Sequence, residues 1–551
     1  VCVGTSFSKG ITMAETTASP VGTLAPPPTL IQEKLKKSPG KLGKLAFGLI
    51  LVGGLVYIAT RLLSDISGVH LPSAWPYVLL VLALLTALGF EFVNGFHDTA
   101  NAVATVIYTH SLEPHVAVVW SGFCNLVGVL LSSGAVAFTI VSLLPVELIL
   151  QVSKGAGFAM VFALLVSAII WNLATWSLGL PASSSHTLIG SIIGVGIANQ
   201  LMSLKTNTSG VDWGQAGNVF RSLLISPVVG FVCAGLLLML MKVVIRDARL
   251  YRAPEGTDPP PFWIRCLLIL TCTGVSFGHG SNDGQKGMGL IMLILIGTVP
   301  TAYALNHAVG VNQVQDFAAV SEQAITAVNH YVDPQAIVGD TREEVTDYIR
   351  TKQFTPNTML AMRQLIGDIE HETVLYKALA SVPPDDQANV RNDMYIISEA
   401  LRLMQKSGKP VLSAADTATL KNYKSHLDLA TKFIPSWVKV AVALALGLGT
   451  MVGWKRIVVT VGEKIGKAHL TYGQGAAAEL VTAATILAAD RFGLPVSTTH
   501  VLSSGIGGTM AANHSGLQWS TVRNIALAWV LTLPSSALLA GCLFWLFRRW
   551  S

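Results

Sequence analysis

The feature that most limits this chain is a series of apolar stretches, many near the roughly 20 residues that a helix needs to cross a bilayer. The first covers residues 45–63, and others follow near 76–96, 116–142, 157–179, 187–202, 220–244, 264–280 and 286–306. After a polar interval, four more lie near 436–453, 474–489, 497–512 and 523–547. With 51% hydrophobic and 12% charged residues over 551 positions, and a mean hydropathy of +0.55, a water-soluble enzyme of this size is excluded. Backbone groups in lipid must find partners within the protein, and runs of this length do so as helices. The expected fold is an all-α polytopic membrane protein with about 12 transmembrane or half-spanning helices. Two runs, 187–202 and 497–512, are short and rich in Gly and Ser; they read equally as full spans, half-helices or re-entrant hairpins.

Charge and turn residues divide the chain. Residues 1–45 carry Pro26-Pro27-Pro28 followed by Lys34, Lys36, Lys37, Lys41 and Lys44, and read as a disordered cytoplasmic lead-in. A membrane part follows over 46–250, a first repeat with a preceding helix. It continues over 251–306, the start of a second repeat, and resumes over 436–551. Between these lies 307–435, where 12 Lys/Arg stand against 16 Asp/Glu, a net of −4. The rest then holds 25 basic and 15 acidic residues, net +10, which fits topology setting rather than nucleic-acid binding. Residues 342–352, 359–379 and 392–406 show apolar residues at helical spacing, and Pro383-Pro384-Asp385-Asp386 and Ser407-Gly408-Lys409-Pro410 are turn signals. The interval reads as a soluble helical insert on the cytoplasmic side. If every apolar run crosses, the basic stretch Lys242, Arg246, Arg249, Arg252 and the terminal Arg548-Arg549 also fall inside. The six cysteines form no CxxC or metal-ligand spacing and read as small buried hydrophobes.

Inside these apolar regions sit two polar phrases, Gly95-Phe96-His97-Asp98-Thr99-Ala100-Asn101-Ala102 and Gly280-Ser281-Asn282-Asp283-Gly284-Gln285-Lys286. An Asp at the centre of a membrane helix costs about 2.5–3.5 kcal/mol on insertion scales, so a retained one marks a site. Each phrase has a downstream companion: Gly179-Leu180-Pro181-Ala182-Ser183-Ser184-Ser185-His186 and Gly493-Leu494-Pro495-Val496-Ser497-Thr498-Thr499-His500. Asp98 to His186 is 88 positions and Asp283 to His500 is 217; the difference, 129, equals the length of the insert 307–435. Five apolar runs separate the two Asp phrases, and an odd number turns the second half upside down. Two inverted repeats, the second interrupted by the insert, are the expected organisation.

The chemistry follows from residue type. Gly-Leu-Pro-x-Ser/Thr-Ser/Thr-Ser/Thr-His reads as a helix start, with Pro at a position needing no N–H and hydroxyls able to cap or donate. Free N–H groups at two opposed helix starts form a cradle for an oxyanion. Asp98 and Asp283 then suit a co-transported cation, a proton or a protonated oxyanion, and His97, His186, His279 and His500 are candidate proton carriers. The plainer reading makes each Ser/Thr a cap and each His a packing residue; the paired occurrence argues against it. Glu91, Lys286, Glu479 and Asp490 are the neighbouring ionisable groups, Glu479 standing out in an otherwise apolar run. Asn125 and Asn172 read as interhelical hydrogen bonders.

The two Asp phrases and the two Gly-Leu-Pro phrases, in this order, resemble the signatures of the inorganic phosphate transporter (Pit) family, and most closely its bacterial low-affinity branch. The resemblance covers roughly 76–306 and 436–547. It implies a non-enzymatic secondary transporter that imports inorganic phosphate, as a homodimer in the inner (plasma) membrane, with no cofactor. In that branch the coupling ion is a proton and phosphate enters largely as a complex with a divalent metal. Sodium-coupled relatives usually have Asn where this chain has His97, and a Glu where it has Asn125. The substrate set so implied is Asp98, Asn101, Ser183, Ser184, Ser185, Asn282, Asp283, Ser497, Thr498 and Thr499. His97, Asp98, Asp283 and Glu479 are the coupling set. The alternatives are a sodium-coupled phosphate or sulfate permease of the same fold and, remotely, a membrane-embedded hydrolase, against which no H-E-x-x-H or G-x-S-x-G motif stands in the chain.

Overall fold

A computed structural model of the chain describes residues 40–67, 74–144, 155–202, 211–254, 258–309, 311–376 and 378–549; at 99–101, 155, 156, 311, 312, 384 and 385 it describes the backbone alone. The described secondary structure is helical, apart from one isolated bridge between Gly466 and Leu517. The first eight helices are α1 (Lys41–Ile66), α2 (Trp75–Tyr108), α3 (Pro114–Leu131), α4 (Ala135–Val141), α5 (Gly155–Ser177), α6 (Ser184–Met202), α7 (Trp213–Val244) and α8 (Phe262–Thr298). The insert contributes α9 (Val311–Asn329), α10 (Thr341–Thr351), α11 (Pro356–Tyr376), α12 (Pro384–Ser407) and α13 (Ala414–Thr431). The chain closes with α14 (Ser436–Thr450), α15 (Lys455–Glu463), α16 (Tyr472–Arg491), α17 (Thr498–Ala512) and α18 (Trp519–Arg548).

Seven of the described helices are long and apolar enough to cross a membrane, or eight if the bent pair α13 and α14 forms one span. The protein is a multi-pass membrane protein. The runs 264–280 and 286–306 do not cross separately: the 37-residue α8 carries the chain through both. The polar phrase between them stays helical because its side chains find partners across the bundle: Gln285 accepts from the Val136 N–H at 2.9 Å and Ser281 donates to Asp490 at 2.8 Å.

One crossing in place of two changes the topology. Asp65, at the end of α1, accepts from Tyr303 at 2.7 Å and Trp437 at 3.0 Å, the residues that flank the insert. Asp212 caps α7 through the Gln215 N–H and pairs with Lys352 of the insert at 2.6 Å. The start of α7 therefore lies on the insert face, and its other end, where Lys242 donates to Asn513, on the opposite face. Arg548 donates to Asn199, near the end of α6, which returns the C-terminus to the insert face. The expectation that the insert, the stretch 242–252 and Arg548-Arg549 share one side is thus corrected: 242–252 lies across the bundle from the other two. At the N-terminus α1 begins at Lys41, so the lead-in ends before residue 45; residues 1–39 lie outside the described residues.

The insert helices enclose an apolar cluster that includes Val345, Met362, Ile366, Leu401 and Tyr423. Its turn signals act as read: Pro384 opens α12, and Gly408 closes it in the left-handed region at φ 64°. Of the cysteines, Cys124 and Cys272 are buried, whereas Cys233, Cys266 and Cys542 face outward. An outward cysteine on a membrane helix meets lipid, so apolar patterning alone does not distinguish core from periphery; Cys2 lies outside the described residues.

Candidate functional site

The site is assembled where two helix hairpins meet. Helix α5 ends with Gly179 at φ 66°, the Leu180 N–H bonding back to Thr175; α16 ends with Gly493 at φ 63°, the Leu494 N–H bonding back to Ala489. Gly in the left-handed region followed by a six-residue return bond is a Schellman closure. Gly-Leu-Pro is thus the stop signal of one helix, and the hydroxyl triplet after it starts the next. In α6 the Ser183 hydroxyl accepts from the His186 N–H at 3.2 Å; in α17 Ser497 does the same for His500 at 3.1 Å. These two residues serve as caps.

The tips touch each other and α2. Ser185 donates to the Val496 carbonyl at 2.9 Å, and the His186 and His500 rings lie 4.3 Å apart, His500 stacking at 4.0 Å on Trp529. Asp98 projects from α2 into this junction and is buried. One carboxylate oxygen accepts from Ser184 at 2.6 Å; the other accepts from Thr499 at 2.8 Å and lies 3.0 Å from His97 Nδ1. His97 Nε2 in turn faces Thr175 at 3.1 Å, so the ring is oriented from both sides. A single carboxylate therefore joins both hairpin starts.

The second Asp phrase supplies the other wall. Lys286, one turn after Asp283 on α8, is buried, donates to Asp283 Oδ1 at 2.6 Å and also donates to Ser185. His279 Nε2 lies 3.6 Å from Asp283 Oδ2 and 3.9 Å from Asp98 Oδ2. Neither His279 Nε2 nor Asp283 Oδ2 has a hydrogen-bond partner among the described residues, although both are buried. Asp98, His279 and Asp283 each offer one ligand atom, all within 4.8 Å of one another. Two carboxylates and an imidazole in this arrangement can hold a cation or share a proton. The His279 ring is fixed from behind by Asn125 at 2.9 Å, which donates to Thr450 at 3.0 Å.

Other residues singled out from the sequence stand apart. Asn282 donates to the Leu494 carbonyl at 3.1 Å and accepts from the Val496 N–H at 3.4 Å, anchoring the second tip. Thr498 is buried, and its hydroxyl has no described partner. Glu479 accepts from Thr271 at 2.5 Å, two turns along α8 from His279, outside the Asp98 junction. The side chain of Asn101 lies outside the described part of the structure. Sequence reasoning placed His279 and Lys286 only in the neighbourhood of the site; their spacing of four before and three after Asp283 puts all three on one helix face, the signal that could have found them.

Residues 94–540 match the family described as the phosphate transporter family. The chain belongs to this family. It is 42% identical over 486 residues to the low-affinity inorganic phosphate transporter PitA of Escherichia coli K12, covering 85% of this chain and 96% of that one. It is 27% identical over 470 residues to a probable low-affinity inorganic phosphate transporter of Bacillus subtilis, covering 85% and 97%. A solved sodium-dependent phosphate transporter is similar at a TM-score of 0.46 and 19% identity, over 86% of this chain and 99% of that one. The relatives are named as transporters, and the chain is a transporter rather than an enzyme.

Proposed function

We propose that this chain is a secondary transporter that imports inorganic phosphate in symport with protons, the phosphate travelling as a complex with a divalent metal. The observation that carries the reading is the Asp98 carboxylate accepting hydroxyls from both hairpin starts. Ser184, Ser185, Thr499 and the N–H groups of the two helix starts form the oxyanion cradle. Asp98, His279 and Asp283 form the cation wall, and His97 orients Asp98 and relays protons. A divalent ion suits this oxygen- and nitrogen-rich wall, and as part of the cargo it offsets the negative charge of phosphate beside two carboxylates. Asn101 and Glu479 keep supporting roles, Glu479 as a proton acceptor on the hairpin face.

Two inverted repeats are part of this reading. Gly194 lies ten residues into α6, where a Cβ would come 1.9 Å from the Ala537 carbonyl of α18; Gly508 lies ten residues into α17, where a Cβ would come 1.9 Å from the Phe231 carbonyl of α7. Each hairpin thus packs closely on the long helix of the other half, and both long helices carry an internal proline, Pro227 and Pro534. Matched packing of opposite halves supports rocking of one hairpin against the other as the means of alternating access. A homodimer in the inner membrane and a separate role for the 307–435 insert complete the proposal.

The test is uptake of labelled phosphate into proteoliposomes under imposed proton or sodium gradients, with and without a divalent metal, and with excess sulfate as competitor. Uptake driven by a proton gradient, raised by the metal and indifferent to sulfate, is the expected result. Uptake driven by sodium alone reassigns the coupling ion, and displacement by sulfate reassigns the substrate.

A further inference from the structure

The two Asp phrases differ in one respect that bears on charge. Three residues after Asp98 stands Asn101, an uncharged amide; three residues after Asp283 stands Lys286. The Lys286 ammonium is buried against Asp283 Oδ1 and the Ser185 hydroxyl, a carboxylate oxygen and a hydroxyl oxygen. That is a ligand pair that a small monovalent cation also accepts. We propose that Lys286 is a tethered counter-ion, its ammonium standing beside Asp283 in the place where a mobile monovalent cation would otherwise bind.

The proposal rests on reading the Asp98–Asp283 junction as the transport site. The charges explain why such a residue belongs there. Asp98 and Asp283 bring two carboxylates into a buried space where ligand atoms lie within 4.8 Å of one another. Two buried anions this close repel, and an unpaired buried charge is strongly unfavourable. Lys286 cancels one of them permanently, because it is covalently part of α8 and needs no ion from solution. Lys286 engages only Oδ1 of Asp283, so Oδ2 remains beside Asp98 and His279 to take a mobile cation or proton. An ammonium has three N–H donors, and Asp283 and Ser185 take two, leaving one for an oxyanion held at the hairpin tips. The ammonium therefore also ties the second Asp phrase to the first hairpin, coupling the halves through Ser185.

The experiment measures stability of the purified protein in detergent, without phosphate, in sodium chloride and in choline chloride. Wild-type protein is expected to melt at the same temperature in both. Lys286→Ala vacates the ammonium position, and its melting temperature is expected to rise by several degrees in sodium over choline, as for any ligand that binds only the folded state. Equal melting of this variant in both salts overturns the proposal. Should the Ala variant not be recovered, Lys286→Met, Asp283→Asn and the combined variant complete a double-mutant cycle with wild type. Lys286→Met is expected to melt well below wild type and the added Asp283→Asn to restore most of the loss. No restoration, or no loss in Lys286→Met, also overturns it. Because no phosphate is present, failure here leaves the phosphate reading standing, and failure of phosphate uptake leaves this result standing.

Discussion

The Thr499 hydroxyl donates to the Asp98 carboxylate at 2.8 Å although 401 positions separate them in the chain. Ser184 donates to the same carboxylate from the other hairpin at 2.6 Å. Neither hairpin can move from this junction without breaking a bond to Asp98, which makes that residue a latch between the two. Asp98→Asn keeps the size but forfeits the charge, and is expected to abolish coupled phosphate uptake while the protein remains in the membrane. Uptake assays with surface quantification check this. Thr499→Val and Ser184→Ala each remove one hydrogen bond to a charged group, worth about 1.5–3 kcal/mol. Uptake efficiency should fall roughly tenfold to a hundredfold in each.

The close helix contacts at Gly194 and Gly508 predict a second pair of effects. A Cβ at either position would overlap a backbone carbonyl of the facing helix, Ala537 or Phe231, which cannot swing aside as a side chain can. Overpacking costs typically about 1–3 kcal/mol. Gly194→Val and Gly508→Val are expected to lower the melting temperature similarly, whereas Gly217→Ala, with open space around its Cα, should leave it unchanged. Thermal unfolding in detergent reads all three.

Topology yields a third prediction. Lys41, Lys44, Lys242, Arg246, Arg249 and Arg252 gather on the face opposite the insert, and by the positive-inside rule that face is expected to be cytoplasmic, opposite to the side expected for the insert from sequence. A single cysteine placed in the 246–252 stretch of a cysteine-free background should be labelled by an impermeant maleimide only after the membrane is opened. One placed at exposed Val411 in the insert should be labelled in intact cells. The reverse pattern would assign the insert to the cytoplasm.

The junction between insert and membrane part carries a pH dependence. Burial alone would raise the Asp212 pKa, but hydrogen bonds from Lys352 and the Gln215 N–H, with the charges of Lys352 and Arg402, outweigh it and hold the carboxyl below its usual value. A depressed carboxyl pKa contributes stability that is complete above the unfolded value, about 3.9, and is lost as pH falls through the folded one. Protection of the Gln215 amide against hydrogen exchange should therefore hold at neutral pH and weaken below about pH 4. In Asp212→Ala, which has no acceptor for this N–H, it should be weak at every pH.

Much of this architecture was legible before any coordinates. Two polar phrases in apolar surroundings located Asp98 and Asp283, because a carboxylate in lipid requires a reason. The 129-position difference between the two spacings to the Gly-Leu-Pro phrases isolates the insert, and Gly408 and Pro384 close and open α12 as their backbone preferences dictate. The crossing count was not legible, since polar residues that are satisfied across a bundle look the same in sequence as residues that end a helix; 281–286 continue α8 for that reason. The place of Lys286 is not legible from sequence, because a lysine near a membrane motif serves equally at an interface, and only the partner Ser185, 101 positions away, decides it. The division of the hydroxyls was equally hidden. Ser183 and Ser184 are adjacent and chemically alike, yet one turns back to cap its own helix and the other reaches Asp98.

The central claim is that phosphate is held where the two hairpin tips meet around Asp98. Equilibrium binding of labelled phosphate to the purified protein tests it most directly, with wild type compared against Ser185→Ala, Thr499→Val and their combination. Each single variant is predicted to bind at least roughly tenfold more weakly, as expected for a lost charge-assisted contact, and the combination to bind no measurable phosphate. Wild-type affinity retained in the double variant, with the protein folded, would contradict it.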